Sequence, residues 1–204
     1  MNVVYASDDR YAMIVGTSIE SLYQHHSTVP DVYVYILDAQ ISDKNRALLD
    51  AIGKNHSRKI TFIRVEAQQF NGIEAELDTQ RWCLAAFARL LTPILLPELS
   101  RILYLDCDTM VQDSLISLWE EELEELSCAA VAEPFSAGYK CNVHLNKQDI
   151  YLTWGVMLID LDKCRKMELL KPFFKCIDKH ELVFHAVCFK SVANIRSFRE
   201  AVAA

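Results

Sequence analysis

The first 65 residues alternate between short apolar runs and segments with helical spacing, and this alternation restricts the folds open to the chain. Apolar runs at 3–6, 32–37 and 60–65 have the length and the β-branched and aromatic content of buried strands. Between them, residues 12–26 carry apolar side chains at helical spacing, and Ser42 stands as an N-cap before a second helical segment. Strands that alternate with helices form a parallel sheet covered by those helices. The pattern therefore predicts an α/β fold that binds ligands beyond the carboxyl ends of its strands.

The rest of the chain continues the same pattern, without an internal repeat or a linker. The remaining predicted elements are helices over 81–91 and 167–179, strands over 102–105, 128–133 and 153–161, a loop over 135–149, and a solvated acidic helix or loop over 120–126.

Composition excludes several classes of protein. The 204 residues carry 21 Lys plus Arg against 28 Asp plus Glu, and the net charge of −7 argues against nucleic acid as the main partner. The seven cysteines stand singly, without a C-x-x-C pair, so we expect reduced thiols in a cytoplasmic protein. Residues 1–8 lack the features of a signal peptide, and no apolar run approaches about 18 residues, so no transmembrane segment is expected.

The sharpest chemical feature is the triplet Asp106, Cys107 and Asp108, which directly follows the predicted strand 102–105. Residues i and i+2 of an extended chain point to the same side, so the two carboxylates can bind one divalent cation. Mg²⁺ and Mn²⁺ prefer such oxygen ligands and keep positions open for phosphate oxygens. Two alternatives remain open on these residues alone, a plain surface loop and an unrelated α/β domain that uses Mg²⁺ in phosphoryl chemistry.

Four segments of the sequence, in order, resemble the motifs of one known family. They are Tyr5–Asp9 together with Tyr11, Phe87–Arg89, Leu103–Asp108 and Gly155–Leu161. The chain resembles the retaining glycosyltransferases of family 8, a group that includes bacterial lipopolysaccharide galactosyl- and glucosyltransferases and is related to glycogenin. The resemblance covers residues 1 to about 180.

This resemblance implies a GT-A (Rossmann-like) nucleotide-sugar-binding fold, with a mainly parallel mixed sheet flanked by helices. It also implies a hexosyltransferase that moves glucose or galactose from a UDP-sugar to a saccharide or lipopolysaccharide acceptor with the help of Mn²⁺ or Mg²⁺. Full-length relatives are expected in the cytoplasm, peripherally at the inner membrane surface.

Carried over position by position, the resemblance implies that Asp106 and Asp108 ligate the metal, that Cys107 offers its backbone to the ribose, and that Arg89 holds the donor phosphate or sugar. It assigns no catalytic residue. The other nucleotide-sugar-binding residues that it implies are Ala6, Asp8 and Tyr11, near uracil and ribose, and Thr153, Trp154 and Gly155, near the sugar. Each of three assignments has a structural alternative: Asp8 and Asp9 as helix N-caps, Arg89 as a surface residue, and Tyr11 as an ordinary aromatic.

The sequence departs from the family pattern at three places. Thr153-Trp154-Gly155 stands where the family has Asn-x-Gly, and no Asp-Gln-Asp triplet follows His180. The late His-x-x-Gly-x-x-Lys-Pro-Trp motif is absent, since Gly155 is the last glycine. We therefore expect a nucleotide-sugar-binding domain over 1–180 and an atypical segment over 181–204, which is either a terminal amphipathic helix or a frameshifted tail. The alternative function is a truncated UDP-sugar-binding remnant with weak or no activity, without a third metal ligand.

Overall fold

The computed structural model describes residues 1–70, 84–132, 152–168 and 195–197, and their strands form one seven-stranded sheet. The strands are β1 Asn2–Ser7, β2 Tyr33–Asp38, β3 Ile60–Arg64, β4 Arg101–Leu105, β5 Cys128–Ala132, β6 Leu152–Asp160 and β7 Ile195–Ser197. Their order across the sheet is β3-β2-β1-β4-β6-β5-β7.

The sheet is mixed and mainly parallel, as the resemblance implies. Strands β1, β2, β3 and β4 pair in parallel, and β5 pairs in parallel with β7, whereas β6 runs antiparallel to both β4 and β5. The chain moves outward from β1 to β3 and then returns to place β4 on the other side of β1. This reversal of strand order creates a crevice at the carboxyl ends of β1 and β4, where open α/β sheets bind their ligands.

Helices pack on both faces of this sheet. They are α1 Ala12–His25, α2 Asp43–Asn55, α3 Leu84–Ala88, α4 Thr92–Leu95, α5 Ile116–Glu120 and α6 Leu161–Lys166. Alternate residues of β1 enter different cores: Val3 joins a cluster with residues of α1 and α2, and Val4 joins one with residues of α3 and α6. Both side chains are fully buried, so β1 has the continuous apolar run of a strand covered on two faces. Within the described ranges, no helix has the length and apolar character needed to cross a bilayer.

Two helix boundaries differ from the sequence-based expectation. The predicted helix over 81–91 is described from Leu84, and it is an α-helix only to Ala88, after which Arg89–Leu91 form a 3₁₀ turn. The strand predicted to reach Leu161 ends at Asp160, whose carboxylate accepts a hydrogen bond from the Lys163 amide (2.8 Å) and starts α6. Asp is a favoured N-cap residue, so the cap at Asp160 explains why the strand ends and the helix begins here. The apolar run that continues to Leu161 led to the longer strand prediction.

The other predicted elements agree where the structure describes them, except for the start of the helix expected over 167–179. The loop expected over 135–149 lies outside the described residues, as do residues 169–179 of the expected helix over 167–179. Met167 and Glu168 form a turn after α6, so the prediction that a helix begins at Met167 is wrong: the helix begins at Leu161, after the Asp160 cap, and ends at Lys166. Ile195–Ser197 form β7 and pair with β5, so these three residues do not belong to a terminal helix. The domain boundary at residue 180 stays a prediction.

Candidate functional site

A cleft of about 370 Å³ opens at the carboxyl ends of β1 and β4. It contains seven of the residues that the sequence singles out: Ala6, Asp8, Tyr11, Arg89, Asp106, Cys107 and Asp108. These residues come from three separate parts of the sequence: the end of β1 with the residues that follow it, the helical segment that ends at Leu91, and the loop after β4. The fold therefore brings the predicted residues of these three segments to one place.

The remaining three candidates lie in β6, next to the cleft. The Trp154 carbonyl accepts a hydrogen bond from Arg89 Nη1 (3.1 Å), and the Gly155 carbonyl accepts one from the Asp106 amide (2.8 Å). Thr153 precedes them in the same strand. Trp154 and Gly155 thus support two cleft residues through their backbone.

Arg89 and Asp106 form an ion pair inside the cleft. Arg89 Nη2 lies 3.0 Å from Asp106 Oδ1, and only 14% of the arginine side chain is exposed. The guanidinium also lies over the Tyr104 ring, 4.8 Å from its centroid. Arg89 is therefore not the exposed surface arginine of the alternative reading, because its guanidinium is held against the loop after β4.

The electrostatics of the loop after β4 favour a cation. Burial raises the pKa of Asp106, Arg89 opposes that rise, and the nearby charge of Asp108 adds to it. Asp108 is exposed, and its carboxylate makes no hydrogen bond or ion pair with any other residue that the structure describes. Two carboxylates that repel each other, with one of them unneutralised, form an arrangement that a divalent cation stabilises.

Cys107 links this loop to the end of β1. Its thiol donates a hydrogen bond to the Ala6 carbonyl (2.7 Å), and burial raises the pKa of the thiol to about 12. The thiol is therefore protonated at neutral pH and acts as a donor rather than as a nucleophile or a thiolate ligand.

Asp8 caps the short 3₁₀ helix Asp9–Tyr11, as the N-cap alternative proposed. Its Oδ1 accepts from the amides of Arg10 (3.0 Å) and Tyr11 (3.2 Å), and its Oδ2 accepts from the Arg10 guanidinium (2.7 Å to Nη2). Asp9 binds elsewhere, since it accepts from the Ser42 amide (2.8 Å) at the start of α2. Because Asp8 also lines the cleft, its capping role and a ligand-binding role are compatible.

Tyr11 lies at the rim of the cleft with 44% of its surface exposed. A core tyrosine would bury its ring, so the exposed ring favours a surface that a planar ligand can cover. The exposed ring is compatible with the stacking role that the family resemblance implies.

Five residues of the cleft lining were not among the sequence-based candidates, namely Ser7, Arg10, Ala85, Ala86 and Tyr104. Tyr104 was treated only as part of the strand, although its position two residues before Asp106 places both on the same side of an extended chain. Arg10 was given no role by the sequence analysis, and its guanidinium binds the Asp8 carboxylate.

The described part of the cleft supplies two candidate metal ligands, the carboxylates of Asp106 and Asp108. Among residues 1–70, 84–132, 152–168 and 195–197, no group of three or more His, Cys, Asp or Glu side chains is placed to hold a metal ion. Asp106 and Asp108 supply hard oxygen atoms, and Mg²⁺ and Mn²⁺ bind through one or two carboxylates together with water and substrate phosphates. The residues present therefore fit such an ion.

Comparison with known proteins gives the same family as the motifs. The sequence profile of glycosyl transferase family 8 matches residues 2–187. A crystal structure of the galactosyltransferase LgtC, in complex with donor and acceptor sugar analogs, superposes with a TM-score of 0.83 and 26% identity, and it covers 97% of this chain and 73% of LgtC. The LgtC match confirms the GT-A fold.

Curated relatives support this result and differ in length from the chain. A putative glycosyltransferase of Haemophilus influenzae is 26% identical over 187 residues, which are 90% of this chain and 55% of the relative. General stress protein A of Bacillus subtilis is 24% identical over 182 residues, 88% of this chain and 63% of the relative. The chain thus spans little more than half the length of these relatives. On the evidence of the profile, which matches most of its residues, the chain belongs to glycosyltransferase family 8.

Proposed function

We propose that this chain is the nucleotide-sugar-binding part of a retaining, metal-dependent hexosyltransferase that transfers glucose or galactose from a UDP-sugar to a saccharide acceptor. The observation that carries the proposal is the single cleft that joins Tyr11, Arg89 and the two carboxylates of Asp106 and Asp108 at the switch point of the sheet. Retention of configuration, the UDP-sugar and the lipopolysaccharide acceptor rest on the family resemblance.

The charge of the cleft supports a metal-dependent donor site. Its described lining carries three carboxylates, of Asp8, Asp106 and Asp108, and two guanidinium groups, of Arg10 and Arg89. Each arginine pairs with a carboxylate, Arg10 with Asp8 and Arg89 with Asp106, so that one negative charge remains. A diphosphate would be repelled by this lining unless a cation entered with it.

Asp106 and Asp108 are the residues that would hold Mn²⁺ or Mg²⁺. When bound, such an ion supplies Lewis-acid stabilisation of the negative charge that develops on the diphosphate leaving group. Arg89 favours the ionised form of Asp106 and holds its carboxylate in place, since the guanidinium contacts the carboxylate directly. Asp8, fixed by two backbone amides and Arg10, presents an ordered carboxylate toward the nucleoside, and the exposed ring of Tyr11 offers a stacking surface.

A cytoplasmic location is also part of the proposal. In the described ranges, Cys107, Cys128 and Cys164 are free thiols. Free thiols are the usual state of cysteine in a reducing compartment, and burial raises the pKa of the Cys164 thiol to about 12, which keeps it unreactive.

Calorimetric titration of UDP into the purified chain tests the donor site. We expect heat of binding with Mn²⁺ present, loss of that heat in EDTA, and no metal-dependent binding in the Asp106→Ala/Asp108→Ala variant. The matched control is Asp43→Ala/Asp50→Ala, which removes two carboxylates of α2 that do not line the cleft. Absence of binding by the folded wild-type chain would refute the proposed donor site.

Transfer is tested separately, with UDP-glucose and UDP-galactose and a panel of saccharide acceptors. Proton NMR of the product's anomeric signal distinguishes retention from inversion. Binding of UDP without release of UDP from either donor would favour the alternative function, a UDP-sugar-binding remnant.

A further inference from the structure

Tyr104 lies directly beneath the two charged residues at the centre of the cleft. Its hydroxyl donates a hydrogen bond to Asp106 Oδ1 (3.1 Å), and its ring supports the Arg89 guanidinium at 4.8 Å. Only 1% of the residue is exposed, although it belongs to the cleft lining. One buried side chain thus contacts both partners of the Arg89–Asp106 ion pair.

The two oxygen atoms of Asp106 have different surroundings. Oδ1 accepts from Tyr104 at 3.1 Å and from Arg89 Nη2 at 3.0 Å. Oδ2 accepts no hydrogen bond from another residue in the described parts of the chain. A carboxylate whose one oxygen is fixed by two donors cannot rotate freely, and its other oxygen remains available to a cation.

We propose that Tyr104 is a positioning residue for the metal site: it orients the Asp106 carboxylate so that Oδ2, rather than Oδ1, binds the divalent cation. This inference rests on the proposed function, because it takes Asp106 as a metal ligand. Tyr104 acts through Asp106 and Arg89 and has no contact of its own with the metal in this proposal. Hydrogen bonds to ligating carboxylates commonly fix their orientation in this way.

The chemistry of the hydroxyl suits this role. A tyrosine hydroxyl carries one proton that it can donate, and here it donates to Asp106 Oδ1. Its position two residues before Asp106 in an extended segment keeps both side chains on one side of the chain. The donor is therefore provided by strand β4 itself, a rigid element, rather than by a loop.

The test is the affinity of Mn²⁺ in the presence of saturating UDP, measured from the free Mn²⁺ signal in electron paramagnetic resonance. Tyr104→Phe keeps the ring beneath Arg89 and removes only the hydroxyl. We expect its Mn²⁺ affinity to be roughly 10- to 100-fold lower than that of the wild type, the usual effect of removing a hydrogen bond to a metal ligand.

Tyr23→Phe is the matched control. Tyr23 is also fully buried, but its hydroxyl has no hydrogen-bond partner among the described residues, and it lies outside the cleft. Its Mn²⁺ affinity should equal that of the wild type. Thermal melting of both variants shows whether each one is folded. A lower Mn²⁺ affinity in a Tyr104→Phe protein that still melts cooperatively reports the orientation of Asp106 and not unfolding.

Unnatural tyrosine analogues at position 104 provide a second route if Tyr104→Phe does not fold. p-Aminophenylalanine restores a donor at the position of the hydroxyl, whereas p-fluorophenylalanine fills the same space without donating. We expect the amino analogue to bind Mn²⁺ more tightly than the fluoro analogue. Equal affinities would overturn the positioning role.

The outcomes separate this inference from the proposed function. Unchanged Mn²⁺ affinity in Tyr104→Phe, together with loss of Mn²⁺ binding in Asp106→Ala, would overturn the role of Tyr104 and leave the metal site intact. Failure of the wild-type chain to bind Mn²⁺ with UDP would overturn both. A drop in Tyr104→Phe that the amino analogue reverses would support the inference.

Discussion

Arg89 Nη2 lies 3.0 Å from Asp106 Oδ1, and this ion pair ties the helical segment after α3 to the loop after β4. The guanidinium also donates to the Ala86 and Trp154 carbonyls, at 3.0 and 3.1 Å. One arginine therefore connects three parts of the chain around the cleft, and the stability of the fold and the geometry of the candidate site depend on the same contacts.

Replacement of this arginine should be costly. Arg89→Ala leaves the mostly buried Asp106 carboxylate without its cation, and we expect the free energy of unfolding to fall by about 3 kcal/mol. Urea denaturation at pH 7 measures the change. The control is Arg64→Ala, which breaks an exposed pair with Glu66 and should cost less than about 1 kcal/mol. Equal losses in the two variants would contradict the structural role of the pair.

The exposed ring of Tyr11 should matter for nucleotide binding rather than for folding. Tyr11→Ala removes the stacking surface, and we expect UDP affinity to fall about 10-fold, the usual effect of losing one base–aromatic contact. Tyr11→Phe keeps the ring and should retain most of the affinity. Tyr33→Ala is the control, because Tyr33 is similarly exposed (50%) and does not line the cleft. Titration calorimetry measures the UDP affinity of all three variants. A loss of affinity in Tyr33→Ala would show that the effect of Tyr11→Ala is not specific to the cleft.

The ion pair between Asp38 and Arg46, at the end of β2, should also contribute strongly to the stability of the fold. Asp38 is fully buried, accepts from the Ile41 amide (2.7 Å) and pairs with Arg46 at 2.5 Å. Asp38→Ala removes both contacts, and we expect it to lower the free energy of unfolding by about 3 kcal/mol. Asp50→Ala, which breaks the exposed pair with Lys54, should cost less than about 1 kcal/mol in the same denaturation experiment. If the two variants unfold alike, the pair does not stabilise the fold as argued.

His26 should make the stability of the protein depend on pH. Its ring is buried, with Nδ1 2.8 Å from the Leu22 carbonyl and Nε2 accepting from the Leu115 amide (2.8 Å). Burial lowers the pKa of His26, so the unfolded chain binds this proton more readily than the folded protein does. Stability is therefore complete above the unfolded pKa of about 6.5 and falls as the pH drops through the folded pKa, by up to about 1.4 kcal/mol per pH unit.

Denaturation curves between pH 7.5 and 5 should show this loss in the wild-type protein and less of it in His26→Gln. Thr17→Ala is the control, because Thr17 is an exposed residue of α1 without a titratable side chain, and its replacement should leave the slope unchanged. An identical slope in His26→Gln and in the wild type would assign the pH dependence to other groups.

Gly53 should tolerate no larger side chain, although it lies within helix α2. Replacement of glycine by alanine in a helix normally stabilises it by about 1 kcal/mol. A Cβ at Gly53, however, would lie 2.7 Å from the Arg58 carbonyl oxygen, a backbone atom, so we expect Gly53→Ala to lower the melting temperature. At Gly16 the Cβ would meet only the side-chain ends of Ile52 and Leu49, at 3.2 Å, and Gly16→Ala should be far less harmful. Melting curves that rank the two variants in the opposite order would refute the argument.

The sequence predicted most of the sheet because its strands are buried on both faces. Val3–Ala6 and Ile102–Leu105 are continuous apolar runs, which is typical of central strands that contribute side chains to a core on each face of the sheet. Both runs are central strands in the structure. The sequence-based prediction placed the end of β6 one residue too far along the chain, because the apolar pattern of 153–161 continues through the helix start at Leu161. The capping carboxylate of Asp160 decided that boundary, and a capping hydrogen bond becomes visible only in three dimensions.

The motifs likewise identified the ends of β1 and β4 as a candidate site, since strand ends and their carboxylates can be recognised from local sequence. What the amino-acid sequence alone determined is therefore the family, the α/β layout and the identity of seven residues that line the cleft. The tertiary structure decided how those residues pair: Asp8 with Arg10, Arg89 with Asp106, and Tyr104 beneath both of the latter. The physical reason is clearest for Arg89, which contacts Asp106 and Tyr104 although both lie about 15 positions or more away in the sequence. Only the pairing of strands and the packing of helices sets such distances.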